Sequence, residues 1–194
     1  MYIPKTFEIT EQNSIFKFIK ENAFGQLTSL VDQRLFSTHL PFLLSEEGSK
    51  IICHLARKNP QWLDIADQEV MITFTGPHDY ISPSWYSSPG VPTWNYQAVH
   101  VYGKAKLIND TRELKTIVDS LTEIYEASFE QPWKADYNES MLNAIVGIEI
   151  EITQLQAKYK LSQNRSESDQ KQVIDELIKI GSRELSEVMK QKLK

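Results

Sequence analysis

The segment HLARKNPQW, residues 54–62, gathers residue types that bind a phosphate or a carboxylate. Arg57 and Lys58 place two positive charges directly after a strand-like apolar run. Asn59 then stands where a helix N-cap is expected, and Pro60 where the first helical residue is expected. A helix N-terminus offers unpaired N–H groups and the positive end of the helix dipole. The pattern predicts an anion site, and a solvated turn with two ordinary surface charges is the alternative.

Residues 76–103 concentrate rigid and aromatic side chains. They include four of the eight prolines, two of the four tryptophans, two of the four histidines and four tyrosines. Aromatic enrichment with few charges is typical of the centre of an interface. The same rings could fill a stiff corner of the core or form the wall of a site for a flat ligand. The residues alone leave these alternatives open.

Motifs for other chemistries are missing from the sequence. The four histidines and Cys53 do not show the spacing of zinc ligands, so we predict no metal site. There is also no P-loop, no G-x-S-x-G and no G-x-G-x-x-G. A single cysteine cannot form an internal disulfide, which is compatible with a reducing compartment.

The elements that must position these residues can be read from hydrophobic periodicity. A helix is predicted over residues 11–22, with Thr10 as its N-cap and Gly25 as its stop. Another helix follows Asp110, which forms a capping box with Glu113. The tail reads as two helices hinged at Gly181.

Six strand-like runs cover residues 25–31, 34–44, 49–55, 69–76, 98–109 and 146–161. A long aromatic loop separates the fourth of these strands from the fifth. Strands joined by short turns favour an antiparallel sheet or barrel with peripheral helices.

Bulk composition narrows the class of protein. The 194 residues, 41% hydrophobic and 24% charged, suit one globular domain with or without an appendage. The net charge of −5 gives no global attraction to DNA or to anionic membranes. The N-terminal segment lacks an apolar signal core, and no apolar run approaches the ~20 residues of a membrane span. We therefore expect a cytoplasmic protein without a membrane partner.

Six segments, in chain order, resemble the PaiB family of negative transcriptional regulators of sporulation and degradative enzymes in bacilli. They are MYIPKTF, THLPFLL, HLARKNPQW, GPHDYISPSWY, VPTWNYQAVHVYGKA and KLSQNRSESD. That family is similar to the FMN-binding split-barrel proteins, which include pyridoxamine-phosphate oxidases. The resemblance implies a six-stranded antiparallel split β-barrel over residues 1–165, and a helical appendage over residues 166–194 packed on it. It also implies a homodimer with FMN in a groove between the subunits.

The resemblance also implies roles for particular residues. Arg57, Lys58 and Asn59 would hold the FMN phosphate, and Thr38 and His39 would contact the phosphate and the flavin ring. His54 belongs to the same expected cofactor-binding set. Side chains reaching the cofactor from the partner subunit would be Trp94, Asn95 and His100. Rim positions over the ring, or over a second ligand, would be taken by Lys160, Ser162, Gln163 and Arg165.

Three functions remain open at this level. The first is a flavin-binding repressor of sporulation and degradative-enzyme genes, acting on DNA directly or through a partner regulator. The second is a flavin-dependent oxidoreductase or a haem-handling protein, whose axial ligands would come from His39, His54, His78 and His100. The third is an interaction module that has lost its cofactor. We identify no set of catalytic side chains, but flavin itself supplies hydride chemistry, so this does not decide against an enzyme; the family resemblance favours a regulator.

Overall fold

Strands dominate the chain, and helices lie mainly in its second half. The computed structural model describes the backbone of residues 1–193 and the side chains of residues 1–138 and 140–193. Its strands are β1 (Glu8–Ile9), β2 (Phe24–Val31), β3 (Arg34–Pro41), β4 (Leu43–Leu44), β5 (Lys50–Ala56), β6 (Glu69–Ile81), β7 (Thr93–Ile108) and β8 (Ile145–Lys160). Its α-helices are α1 (Gln12–Glu21), α2 (Gln61–Asp64), α3 (Thr111–Glu126), α4 (Glu139–Leu142), α5 (Glu167–Lys179) and α6 (Arg183–Leu193).

The strands form one sheet in the order β3-β2-β6-β7-β8-β5-β4, and β1 pairs with β8. The registers of β1, β2, β3, β4 and β5 with their partners are antiparallel. The predicted class, mainly antiparallel β with peripheral helices, is confirmed. The predicted count of six strands is wrong, because the sheet in the described residues has eight. The two extra strands, β1 and β4, are two residues long and too short to show a periodic pattern.

The aromatic stretch is mostly strand, so the prediction of a long loop there was wrong. β6 continues to Ile81 and β7 begins at Thr93, which leaves only residues 82–92 as the connection. Aromatic and β-branched side chains favour the pleated surface of a sheet, and this preference prevails over the prolines. The connection carries one 3₁₀ turn, Pro83–Trp85, capped by the Ser82 side chain.

Helix positions follow the predictions more closely than the caps do. The first helix runs from Gln12 to Glu21, but the Glu11 carboxylate rather than Thr10 accepts the first-turn amides of Asn13 and Ser14. Gly25, the predicted stop, lies inside β2. Asp110 caps α3 as predicted, at 2.9 Å and 3.1 Å from the amides of the next turn. The hinge between the tail helices is also confirmed, because Gly181 has a φ of +87° that disfavours other residues.

The chain divides into two compact units, and the three long strands β6, β7 and β8 run through both. The strand unit consists of Ile19–Phe74 and His100–Leu155, and the tail unit of Met1–Phe18, Thr75–Val99 and the chain from Gln156 onward. Buried residues of the strand unit include Leu27, Ile51, Cys53, Leu55, Ile72, Phe74, Val101, Val146, Ile148 and Ile150. The division into a barrel domain of residues 1–165 and a helical appendage of residues 166–194 packed on it stays a prediction.

The tail helices share a hydrophobic core with the ends of two strands. Ile81 and Leu161 are buried against the apolar stripes of α5 and α6, which contribute Val173, Ile174, Leu177, Leu185 and Met189. Trp85 and Tyr86, from the connection between β6 and β7, pack against the same cluster. No helix within residues 1–193 combines the length and the apolar character needed to cross a membrane.

Candidate functional site

Arg57 follows β5 and is held by backbone and amide oxygens. Its Nε donates to the Asn143 carbonyl at 3.0 Å, and its Nη2 donates to the Ile145 carbonyl at 2.9 Å. Both terminal nitrogens reach Asn109 Oδ1, at 3.3 Å and 3.2 Å. The guanidinium carbon also lies 5.5 Å from the centre of the Trp62 ring. All these acceptors are neutral, so Arg57 fixes the end of β5 in place, and no carboxylate in the described part of the chain balances its positive charge.

Lys58, the next residue, is exposed. With the side chains of residues 1–138 and 140–193 it makes no hydrogen bond, ion pair or ring contact. Its ammonium group can therefore meet an incoming anion without breaking a contact of the folded chain. Of the two neighbouring cations, Lys58 is the one whose donors are free.

Asn59 lies one residue before the N-cap of α2, a position that Pro60 takes, so the predicted cap is displaced by one residue. Its Oδ1 accepts the amide of Gln61 at 2.9 Å. Pro60 precedes α2 rather than opening it, and α2 contains four residues. A single turn has little dipole, so attraction for an anion at this corner comes from the two side-chain charges.

A buried amide connects this corner to the β2–β3 hairpin. Gln61 is fully buried; its Nε2 donates to the Leu27 carbonyl and to Ser29 Oγ, each at 3.0 Å. Its Oε1 accepts the Thr38 hydroxyl at 2.6 Å, and Asn59 Nδ2 donates to that same hydroxyl oxygen at 2.9 Å. Thr38 and Asn59 are thus brought together beside Lys58, as expected for a shared site. Gln61, which the sequence did not single out, holds them there.

His39 lies on the opposite face of β3 from Thr38, because successive strand residues alternate. Its Nε2 is 2.7 Å from Gln26 Nε2, and its ring stacks against Phe24 with the ring centres 6.4 Å apart. This face of the hairpin is exposed and partly apolar: Phe24 is 65% exposed and Leu35 is 80% exposed. Thr38 and His39 therefore do not serve one pocket within a single chain.

His54 and His100 are partly buried, and the Nδ1 atom of each is buried without a hydrogen-bond partner in the described residues. Burial lowers the pKa of both imidazoles, because the charged form loses its hydration. His54 lies on β5 opposite Gly147 of β8. Both rings are therefore neutral near pH 7 and add no positive charge to a phosphate site.

The remaining predicted site residues lie in the tail unit. Asn95 is fully buried; its Nδ2 donates to Ser162 Oγ at 3.0 Å and contacts Met189 Sδ at 3.4 Å. Ser162 is 4% exposed and adopts a φ of +65°. Gln163 accepts the Leu161 amide at 2.7 Å and so closes the turn after β8. These contacts favour structural roles for Asn95, Ser162 and Gln163.

Trp94, Lys160 and Arg165 stay accessible at least in part. Lys160 Nζ donates to Thr93 Oγ1 at 2.6 Å and to the Trp94 carbonyl at 2.7 Å. The Trp94 ring is 53% exposed. Arg165 donates to the Pro89 carbonyl at 3.0 Å, and its guanidinium lies 4.3 Å from the centre of the Tyr86 ring. Lys160 and Arg165, both from the motif KLSQNRSESD, therefore hold the connection between β6 and β7 and the start of β7 in place.

Asp169 is a second important residue that the sequence did not single out. Its carboxylate accepts the Ser87 amide at 2.8 Å, the Ser87 hydroxyl at 2.7 Å and the Ser88 hydroxyl at 2.9 Å. These bonds, first that of the Ser87 side chain, lower the pKa of Asp169 to about 2. The spacing from Ser166, the N-cap of α5, is that of a capping box, a signal that could have drawn attention to Asp169.

Comparison with known proteins identifies the family. Residues 1–154 match the family model described as "Putative FMN-binding domain". The chain is 42% identical to "Protease synthase and sporulation protein PAI 2" of Bacillus subtilis, over 100% of this chain and 99% of that protein. This chain belongs to the PaiB family. An uncharacterized protein of Emericella nidulans, AN0679, is 28% identical over 94% of this chain and 92% of its own length.

Solved structures show the same fold at low sequence identity. The flavocytochrome Anf3 from Azotobacter vinelandii aligns with a TM-score of 0.68 and 14% identity, over 87% of this chain and 77% of that chain. The FAD and haem binding protein from Mycobacterium smegmatis aligns with a TM-score of 0.65 and 14% identity, over 90% and 80%. At such identities the likeness establishes the fold alone. It agrees with the split-barrel class implied by the PaiB resemblance.

Proposed function

We propose that this protein is an FMN-binding regulator of the PaiB type, which lowers the expression of sporulation and degradative-enzyme genes. One observation carries the flavin part of the proposal. In a family described by FMN binding, two cations that contact no carboxylate among the described residues lie at the end of β5, beside the hydroxyl and amide of Thr38 and Asn59. The regulatory part rests on the 42% identity with the PAI 2 protein.

The residues at this corner fit a phosphate group. Lys58 supplies free N–H donors, and Arg57 adds a fixed positive charge that its neutral acceptors leave unbalanced. The Gln61 network keeps Thr38 and Asn59 in place, so a bound phosphate would meet ordered polar groups. Bound FMN would supply hydride and electron chemistry, which this chain would position and tune.

The charge of the chain favours regulation through a partner protein. DNA reading needs a basic surface, whereas this chain has a net charge of −5. We infer a cytoplasmic homodimer in which the flavin ring lies between the subunits. The exposed apolar residues on the outer face of the β2–β3 hairpin, which are Phe24, Leu30 and Leu35, support such a pairing.

Lys58→Ala is the direct test of the phosphate site. Removing a charged hydrogen bond costs about 1.5–3 kcal/mol, so the Kd for FMN should rise about tenfold to a hundredfold. Flavin fluorescence quenching measures that Kd, and circular dichroism confirms that the fold is kept. Lys104→Ala is the matched control, because Lys104 is another exposed lysine of the strand unit. Equal FMN affinity in both variants would refute the phosphate assignment.

The absorbance spectrum of the purified protein distinguishes the alternatives. A flavin spectrum supports the proposal, whereas a Soret band would identify a haem protein. Rapid NADH or NADPH oxidation by the flavin-loaded protein would favour an oxidoreductase over a regulator. Arg57→Ala is a poorer test than Lys58→Ala, because it also removes the bonds that hold the end of β5.

A further inference from the structure

Three cations gather at the end of β8 in the tail unit. Lys158 and Lys160 are two residues apart and therefore lie on the same face of the strand. Arg165 follows in the turn after β8. Lys158 is only 8% exposed, and its Nζ donates to the Tyr2 carbonyl at 3.2 Å. Within the described residues, none of the three contacts a carboxylate. Glu8 lies opposite Lys158 in the β1–β8 register, but it is exposed and forms no ion pair with it.

The uncompensated charge affects Lys160. Its pKa is lowered by burial, and further by the positive charges of Lys158 and Arg165. A group of partly buried cations without a counterion is electrostatically unfavourable, and an anion bound beside it relieves that cost. The Lys160 ammonium group donates two of its three N–H groups to Thr93 and Trp94, so one N–H donor is free to bind a ligand.

An exposed aromatic wall adjoins these charges. The Trp94 ring is 53% exposed, and Lys160 is bonded to the carbonyl of that same residue. Tyr80 meets Trp94 edge-on with ring centres 6.2 Å apart, and His78 lies 6.5 Å from it. An indole supported in this way presents a surface on which a flat ring can stack.

We propose that Lys160, Arg165 and the Trp94 ring form a binding site for an aromatic carboxylate. The carboxylate meets the free donors of Lys160 and Arg165, and the aromatic ring lies on Trp94. Arg165 is already oriented, because it stacks on Tyr86 and donates to the Pro89 carbonyl. Lys158 adds buried positive charge without needing direct contact. The site shares no residue with the proposed FMN phosphate corner, although the family resemblance places Trp94, Lys160 and Arg165 near the flavin ring. It goes beyond the proposed function, and the titration below separates it from flavin binding.

Calorimetric titration of the purified protein at constant ionic strength, with and without added FMN, tests the ligand class. The probes are benzoate, neutral benzamide and inorganic phosphate, with the flavin absorbance followed in parallel. Benzoate should bind saturably, at least about tenfold more tightly than either other probe, because only benzoate has both a charge and a ring. Equal binding of benzamide, or binding of phosphate alone, would overturn the proposal. So would release of FMN in proportion to added benzoate, since the ligand would then occupy the flavin site.

Substitutions assign the site. Lys160→Met keeps the length of the side chain, removes its charge, and should weaken benzoate binding about tenfold or more. Lys160→Arg restores the charge and should retain binding. Lys171→Met, an exposed lysine of the tail unit paired with Glu167, should leave binding unchanged. Should Lys160→Met fail to fold, Arg165→Gln decides by the same measurement. Benzoate affinity unaltered in the variant that folds would refute the site.

Discussion

Gln61→Met tests the network that holds the candidate phosphate corner together. The Gln61 side chain is fully buried and bonds to Leu27, Ser29 and Thr38. Methionine has nearly the same length and volume but cannot make these bonds. The substitution therefore separates the loss of hydrogen bonds from the opening of a cavity.

The structure sets the size of the effect. Two bonds of 3.0 Å from Nε2 and one of 2.6 Å to Oε1 disappear, and each contributes about 1 kcal/mol net. The partners left behind are themselves partly or fully buried, and each unsatisfied group adds to the cost. We expect the free energy of unfolding to fall by about 3 kcal/mol or more.

Urea unfolding followed by circular dichroism measures this loss. Gln154→Met is the matched control, because Gln154 is an exposed glutamine on β8 in the same unit and should change stability by less than about 0.5 kcal/mol. FMN affinity should fall as well in Gln61→Met, since the Thr38 hydroxyl loses its acceptor on Oε1, whereas Asn59 keeps its bond to the backbone amide of residue 61. If Gln61→Met were as stable as its control, the network would not stabilise this corner and the reasoning would be wrong.

Two further predictions concern the tail unit and the assembly. The pKa of Asp169 lies at about 2, below the ordinary aspartate value of 3.8, so its contribution to stability is complete above pH 3.8 and is lost as the pH falls towards 2. Asp169→Asn should reduce the slope of the unfolding temperature against pH between pH 2 and 5, whereas Asp175→Asn, at an exposed position, should leave that slope unchanged. An equal slope in Asp169→Asn and in the unsubstituted protein would contradict the Ser87 contacts. Light scattering should give twice the 22.4 kDa of the chain, and a monomeric mass would exclude the inferred homodimer.

The sequence alone determined the types of most elements and the family. Alternation around Ile148 and Ile150 predicted β8, and the stripe after Asp110 predicted α3 with its cap. These signals are local, because periodicity and capping depend on residues a few positions apart. The motifs also sufficed for the PaiB resemblance, which the comparison confirmed. The flavin site stays a proposal, and the contacts of Asn95, Ser162 and Gln163 favour structural roles for these three.

Tertiary structure decided which side chains meet. Glu8 lies opposite Lys158 in the β1–β8 backbone register, and Asp169 bonds to Ser87, 82 residues earlier in the chain; no local pattern encodes either arrangement. The buried Gln61 side chain holds the neighbouring polar groups by hydrogen bonds. Arg57 donates to neutral oxygens, whereas the donors of Lys58 stay free. Residue types state which bonds a side chain is able to make. Only the folded chain determines which partners come within 3 Å and which charges remain without one.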